Sequence, residues 1–376
     1  MKTATWLYFF IFVAFFDLHA QYPMLSPFAL SLGAAPSFIG LIMGMYSITH
    51  LPGNLLAGYG IDRFGSRIFI FLSLICAGIV LLFQAHVHDP WQLLIIRSIS
   101  GFVLAFLSPS CLALLAKIAK DRIQQGKFMS GNGLVHTLAS VVSPALGALL
   151  VAQVGFNVAF TILGWILIFT GVVAFFFIKD VKTPVFLDET KLSNTPNTSV
   201  IPWLFYTIPL ALSCSQGILF FELPLMQSSR SSILSSGLLF SAVSLGALFT
   251  LSFIFLNRYS PYLRTILGCL SLALTFFGIT INWPVPLAVS LFLIGMSKGV
   301  IFPALSMLLV SISQANKYGR IFSILSISFS IGAFFGPILA GQLRDVISPF
   351  FIAFLVLMLA LCLISPKQLQ RGTAIN

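Results

Sequence analysis

Twelve long apolar runs, separated by short polar breaks, fill most of this chain of 376 residues. An α-helix of about 20 residues crosses the roughly 30 Å hydrocarbon core of a bilayer. Charged residues make up only 8% of the chain, whereas a soluble domain carries about 25%. The pattern therefore predicts an all-α membrane protein with twelve transmembrane helices. The predicted helices cover residues 5–26, 37–59, 68–86, 91–116, 129–152, 157–178, 201–226, 233–256, 264–282, 285–312, 321–343 and 349–365.

The longest polar break lies near the middle of the chain and predicts two pseudo-symmetric halves. It separates an N-terminal six-helix bundle (1–178) from a C-terminal six-helix bundle (201–376) by a cytoplasmic linker (179–200). Short motifs recur in the same order in both halves, which indicates duplication. In duplicated membrane proteins the binding site lies at the repeat interface near the bilayer midplane. The recurring motifs are Gly101 and Pro109 with Gly295 and Pro303, and Lys127 and Pro144 with Arg320 and Pro337.

The net charge of +11 comes mostly from the polar breaks. Sixteen of the 20 Lys and Arg residues fall in breaks on one side of the predicted membrane, and such basic loops stay in the cytoplasm. This asymmetry predicts a multi-pass protein of the bacterial cytoplasmic (inner) membrane with both termini in the cytoplasm. The same distribution argues against nucleic-acid binding, because the basic residues flank apolar helices.

Four charged residues interrupt the apolar runs themselves. They are Asp17, Arg97, Glu222 and Lys298, in runs one, four, seven and ten. A charge near the middle of a membrane helix costs roughly 2.5–3.5 kcal/mol on insertion scales and usually has a function. Their regular spacing predicts that one helix from each structural repeat contributes a polar group to a shared, water-accessible pathway.

Asp17 is the predicted proton carrier. Burial favours the protonated carboxylic acid and a nearby cation favours the carboxylate, so alternating exposure would switch the protonation state. Gln21 lies one turn away on the same helix face, whereas His19 lies on the opposite face and is expected to pack elsewhere. The alternative is a structural ion pair between Asp17 and Arg97 or Lys298.

The other polar residues have more than one interpretation. Lys298 is expected either to hold an anionic substrate group or to act as the counter-ion of Asp17. Glu222 is expected either to contact the substrate or to extend to the outer surface. Arg97 and Gln21 are also expected to contact the substrate. Two helix faces carry polar residues at i, i+4 spacing, one with His50 and Asn54 and the other with His136. These faces are expected either to line the pathway or to join helices.

A loop after the second run contains Gly58, Asp62, Arg63, Gly65 and Arg67. The loop resembles the G-x-x-x-D-R-x-G-x-[RK] signature of the major facilitator superfamily, and the six-plus-six plan extends the resemblance over nearly the whole chain. The resemblance implies that the loop's Asp and Arg residues latch the two halves together on the cytoplasmic side. It also implies that helices one, four, seven and ten line a central cavity.

Two further motifs resemble that family. Arg97 followed by Gly101 is similar to its embedded Arg motif, which implies that Arg97 assists proton coupling. Pro144 and Gly147 in run five resemble its antiporter motif, although Ser143 and Ala148 replace the usual glycines. Run eleven carries a better copy, with Gly336 and Pro337. Both copies predict close helix packing around a bend.

These features predict a secondary transporter that works by alternating access, with the resemblance favouring proton-coupled export of an amphipathic drug or metabolite. The alternatives are a proton-coupled importer of an organic anion, a membrane receptor or scaffold, and an intramembrane enzyme. We expect no enzymatic activity, no metal and no cofactor, because no catalytic or ATP-binding motif is present. A proton gradient would supply the energy. The expected partners are a small-molecule substrate and the lipid bilayer, and the expected state is a monomer.

Overall fold

The computed structural model describes residues 2–119, 121–178, 203–226, 230–311 and 318–363, and within these ranges every regular element is helical. Short 3₁₀ helices at Trp203–Tyr206 and Ile254–Arg258 accompany the α-helices. The α-helices are α1 (Lys2–Ala20), α2 (Tyr22–Ser31), α3 (Pro36–Phe64), α4 (Ser66–Gln84), α5 (Pro90–Leu104), α6 (Leu107–Ile118), α7 (Arg122–Val154), α8 (Phe156–Phe177), α9 (Thr207–Leu225), α10 (Arg230–Leu251), α11 (Pro261–Thr280), α12 (Leu287–Ser311), α13 (Tyr318–Leu343) and α14 (Pro349–Leu363).

The helices agree with the twelve predicted membrane crossings. Ten helical stretches among the described residues are long and apolar enough to cross a bilayer. The two remaining predicted runs correspond to α3, which has 29 residues, and to α14, a very apolar helix of 15 residues. The prediction of an all-α protein with twelve transmembrane segments is therefore confirmed.

Two of the crossings are broken helices. The first predicted run forms α1 and α2, which meet at Gln21, and the fourth forms α5 and α6, which meet at residues 105–106. Proline explains both breaks, because it lacks the N–H that would bond the carbonyl four residues earlier. Pro23 stands at the start of α2, and Pro109 stands near the start of α6. The first break places Gln21 and Tyr22 at the junction of α1 and α2.

The two halves meet along two equivalent helix pairs, α3 with α13 and α7 with α10. In the first pair Gly40 faces the carbonyl oxygen of Pro337. In the second pair, a Cβ atom at Gly237 would lie 2.5 Å from the carbonyl oxygen of Pro144. Glycine therefore allows both pairs to approach closely at the repeated prolines.

The other two residues of the predicted packing motifs lie inside single halves. A Cβ atom at Gly147 would lie 2.6 Å from the carbonyl oxygen of Ala20, so α7 packs tightly on the end of α1. Gly336 faces the backbone of Cys214, so α13 packs tightly on α9. These contacts position the walls of the cavity described next.

Candidate functional site

A cavity of about 490 Å³ lies between the two halves. Helices α1, α2 and α7 of the N-terminal half form one wall, and α9, α10 and α12 of the C-terminal half form the other. Its volume lies within the range of small-molecule binding sites, about 300–1,000 Å³. Both halves contribute polar groups to its wall, including Ser140 and Gln216. The cavity is thus located where the duplicated sequence predicts a binding site.

An aromatic cluster closes one end of the cavity. Tyr22 of α2 stacks on Phe220 of α9, with ring centroids 4.0 Å apart and an interplanar angle of 21°. Phe240 of α10 packs edge-on against Phe220, at 5.4 Å between centroids. The cluster joins α2 of the N-terminal half to α9 and α10 of the C-terminal half.

The opposite end of the cavity is open. Its wall reaches Leu251, the last residue of α10, and Ser306, near the end of α12. His136 and Leu251 are exposed, although both lie in apolar helices. This open end faces the side of the molecule that carries the turn between α3 and α4. Charge distribution predicts that this side is cytoplasmic.

Lys298 is the charged residue on the cavity wall. It lies in the middle of α12 and is half-buried. The only ion pair among the described residues joins Glu222 and Arg344. In that part of the chain, no carboxylate lies within 4.0 Å of the Lys298 ammonium nitrogen. Phe302, one helical turn from Lys298, also lines the cavity. The ammonium group is therefore available to a ligand inside the cavity.

Two histidines occupy the N-terminal wall of the cavity. The rings of His19 (α1) and His136 (α7) lie 5.3 Å apart and nearly perpendicular. His19 Nδ1 lies 2.7 Å from the carbonyl oxygen of Phe15. A carbonyl oxygen can only accept a hydrogen bond, so Nδ1 of His19 carries the hydrogen. Neither ring brings negative charge to the cavity.

A second polar cluster lies inside the N-terminal half, outside the lining of this cavity. Asp17 is buried, with only 2% of its surface exposed. The side-chain amide of Gln21 donates to both carboxylate oxygens of Asp17 at 3.0 Å. Arg97 Nη1 donates to Gln21 Oε1 at 2.8 Å. Gln21 thus bridges the embedded acid and the embedded cation.

Arg97 is held in this cluster by α3. Its guanidinium carbon lies 4.8 Å from the centroid of the Tyr46 ring, a cation–π contact. Gly101, one turn further along α5, faces the backbone of Tyr46 and lets the two helices approach closely. Gln84 of α4 adds a weak contact, 3.5 Å from its amide nitrogen to Gln21 Oε1. Four helix segments therefore enclose the network that connects Asp17 to Arg97.

Glu222 lies apart from both clusters, near the end of α9. Arg344, just after α13, donates to it through Nε at 3.0 Å and through Nη2 at 3.2 Å. This is a bidentate ion pair within the C-terminal half, and Glu222 also borders a separate cavity of about 360 Å³. The predicted substrate role of Glu222 stays a prediction, and it would require this ion pair to open.

His50 and Asn54 also lie outside the lining of the central cavity. Their side chains contact each other, with Asn54 Nδ2 2.9 Å from His50 Nδ1. His50 borders a small cavity of about 50 Å³ between α1, α3 and α6. This pair therefore joins neighbouring turns of α3 beside the N-terminal wall.

The predicted latch loop forms the turn between α3 and α4. Gly65 has a φ of +86°, a conformation that residues with a side chain rarely adopt. Arg63 Nη1 donates to the Tyr59 hydroxyl at 3.3 Å. Arg67 Nη2 donates to the carbonyl oxygen of Phe175 at 2.6 Å, which joins α4 to α8 within the same half. Gly58 and Asp62, the other two predicted latch residues, lie in α3 and are outside the residues whose side-chain surroundings the structure describes.

Sequence reasoning missed His19 and the aromatic cluster. We expected His19 to pack elsewhere, because it lies opposite Asp17 on the helix, and this expectation is wrong. Since Asp17 faces the interior of its own half, the opposite face of α1 is the one that lines the cavity. The i, i+4 spacing of His136 and Ser140 was a usable signal for the same surface. The stack of Tyr22 on Phe220 joins residues from different halves, which helix periodicity cannot reveal.

Comparison with known proteins agrees with this architecture. The family model of the Major Facilitator Superfamily matches residues 7–281 and residues 266–371. The chain is 23% identical over 369 residues to the multi-drug resistance efflux pump PmrA homolog of Lactococcus lactis, covering 92% of this chain and 91% of that protein. It is 27% identical over 358 residues to the multidrug resistance protein MdtG of Salmonella paratyphi A, covering 91% and 88%.

A solved structure shares the fold. It is the crystal structure of a bacterial homolog to the human lysosomal transporter Spinster, in an inward-facing and occupied conformation. The TM-score is 0.78 at 12% sequence identity, covering 98% of this chain and 96% of that one. The family match covers almost the entire chain, and the predicted resemblance is confirmed. This chain is a transporter that belongs to the Major Facilitator Superfamily.

Proposed function

We propose that this transporter exports small amphipathic organic compounds, such as drugs or secreted metabolites, in exchange for protons. The observation that carries the proposal is the cavity between the two halves, open at one end and closed at the other by Tyr22, Phe220 and Phe240. Its wall combines aromatic rings with separate polar groups, as expected for an amphipathic ligand. The two relatives are both named as multidrug resistance proteins, which supports export of drug-like compounds.

Alternating access would follow from rocking of the two halves about the paired helices α3–α13 and α7–α10. The aromatic cluster would separate as the outer end opens, and the cytoplasmic loops would approach each other. Asp62, Arg63 and Arg67 would then act as the latch that the family resemblance implies. The N-terminal bundle (1–178) and the C-terminal bundle (201–376) would move as the two bodies.

Proton coupling would depend on Asp17 with the assistance of Arg97. Tyr22, which stacks across the halves, is the direct neighbour of Gln21, which bridges Asp17 and Arg97. Opening of the aromatic cluster would therefore move Gln21 and change the hydrogen bonding of the Asp17 carboxyl group. A carboxylate that loses donors in a buried site binds a proton more readily.

We also propose a membrane, an orientation and an energy source for the protein. The basic loops favour the bacterial cytoplasmic membrane with both termini inside. The open end of the cavity would then face the cytoplasm, where an exporter collects its substrate. A proton gradient would replace any cofactor, and one chain contains both halves of the cavity, so a monomer would suffice.

The test is flux through purified protein in proteoliposomes with an imposed pH gradient. The probes are ethidium, an amphipathic cation, and 1-anilinonaphthalene-8-sulfonate, an amphipathic anion. If the protein is a proton-coupled exporter, at least one probe should move against the direction of proton flow. The Asp17→Asn variant should abolish gradient-driven movement and retain exchange at equal pH, because only the titrating group is lost.

A matched control is Asp89→Asn. Asp89 caps α5 by accepting a hydrogen bond from the Trp91 backbone at 2.7 Å, and asparagine is an equally good cap, so flux should be unchanged. Movement of a probe together with protons would favour the importer instead. Gradient-driven flux that survives Asp17→Asn would overturn the coupling role of Asp17.

A further inference from the structure

The charge of the central cavity is unbalanced. Among the described residues that line it, Lys298 is the only one with a permanent charge at neutral pH, and no aspartate or glutamate is present. No described carboxylate forms an ion pair with Lys298 from outside the cavity either. The embedded acid Asp17 is bonded to Gln21 in a separate cluster.

An ammonium group in such a place favours an anionic ligand. Removing a charge from water is unfavourable unless a counter-charge or hydrogen-bond acceptors replace the water. The three N–H groups of Lys298 have no carboxylate acceptor among the described residues. An acid group on a ligand would supply this counter-charge, and the attraction is stronger in the low dielectric of a protein interior than in water.

The surroundings of Lys298 also restrict the rest of the ligand. Phe302 lies one helical turn from Lys298, and residues at this spacing have Cβ atoms about 5–6 Å apart. The ring of Phe302 is 38% exposed and lines the cavity, and the aromatic cluster closes the far end. A ligand that places an acid group on Lys298 would therefore lay an apolar or aromatic body against these rings.

We propose that the substrates of this transporter are amphipathic organic acids, with a sulfonate or carboxylate group held by Lys298 and an apolar body held by Phe302 and the aromatic cluster. The inference rests on the proposed transport function and narrows its substrate class. Lys298 is a binding residue here, and it has no role as the counter-ion of Asp17.

The experiment measures binding of three ligands that share one ring system and differ in charge. They are 1-naphthalenesulfonate (anion), 1-naphthalenesulfonamide (neutral) and (1-naphthylmethyl)trimethylammonium (cation). Titration calorimetry on the full chain in lipid nanodiscs, with empty nanodiscs subtracted, should show at least tenfold tighter binding of the sulfonate than of the other two. The Lys298→Gln variant should weaken sulfonate binding at least tenfold and leave sulfonamide binding unchanged.

Two variants control for folding and for general charge effects. Lys298→Arg keeps the positive charge and should retain the preference for the sulfonate. Lys117→Gln makes the same substitution near the end of α6, outside the cavity lining, and should bind all three ligands as the native protein does. Equal binding of the three ligands, no binding of the sulfonate, or sulfonate affinity that survives Lys298→Gln would each overturn the inference.

The binding experiment and the flux test can fail independently of each other. Protein that exports ethidium and shows no preference for the sulfonate would overturn the anion assignment and leave the exporter proposal standing. Protein that binds the sulfonate through Lys298 and moves neither probe in proteoliposomes would overturn the exporter proposal and leave the ligand assignment standing.

Discussion

Substituting Gln21 by leucine removes the bridge between the two embedded charges of the N-terminal half. The Gln21 amide donates to the Asp17 carboxylate at 3.0 Å and accepts from Arg97 at 2.8 Å. Leucine has a similar size and no polar atom, so Gln21→Leu deletes the hydrogen bonds to Asp17 and the hydrogen bond from Arg97 with little change in packing. Both charged groups are buried, and water can replace the lost partner only by entering the bundle.

The expected loss of stability follows from these two contacts. A hydrogen bond to a charged group contributes about 1.5–3 kcal/mol, so losing one on each side lowers the free energy of unfolding by about 3–6 kcal/mol. With an unfolding entropy of about 2.1 cal/mol/K per residue over 376 residues, this loss lowers the Tm by about 4–8 °C. Helices in detergent keep part of their backbone structure on unfolding, which reduces the entropy and increases the shift.

The assay is thermal unfolding followed with a dye that fluoresces on reaction with thiols. Cys111, Cys214 and Cys269 are buried and become reactive only when the bundle opens. Gln216→Leu is the matched control, because Gln216 lines the open cavity with no hydrogen bond among the described residues. A Gln21→Leu protein that melts at the native temperature would refute the bridge as a stabilising contact.

Three further results are expected. Glu222→Gln should lower stability by about 1 kcal/mol or less, measured by the same assay, because Arg344 is partly exposed and water can solvate it. Tyr22→Leu removes the aromatic stack between the halves and should make the cavity accessible from its closed end. In a background without other cysteines, a Ser140→Cys residue on the cavity wall should then react faster with an impermeant thiol reagent added from that side. Gly237→Leu should have the same effect, because the leucine side chain would collide with the carbonyl oxygen of Pro144 in α7. Unchanged labelling in either variant would contradict the assignment of the closed end.

Helix periodicity and charge were sufficient to predict the fold. Apolar runs of bilayer length gave twelve segments, and the positions of all twelve agree with helices in the structure. The sequence also contains the reason for the break at Gln21, since Pro23 follows it two residues later. Residues 5–26, which include Pro23, were nevertheless predicted as one helix, because membrane helices often tolerate proline.

Prediction of the site was less complete, because the direction of a side chain depends on how a helix is rotated within its bundle. Lys298 and His136 were predicted site residues, and both line the cavity. Asp17 and Arg97 face the interior of their own half, where Gln21 connects them. The partner of Glu222 lies 122 residues away in sequence, so no local spacing could identify it.

The separation of the two charged clusters explains how one protein could bind an anion and also use an acidic residue for proton coupling. A free carboxylate on the cavity wall would repel an anionic substrate at short range, and the repulsion would be strong in a low dielectric. Asp17 lies outside the cavity lining, and Gln21 connects it to the positive charge of Arg97. The cavity therefore keeps the positive charge of Lys298. A structural change in one cluster would reach the other at the junction of α1 and α2, where Gln21 and Tyr22 are adjacent. This arrangement requires that substitution of Lys298 changes which ligands bind and that substitution of Asp17 changes how a pH gradient drives them.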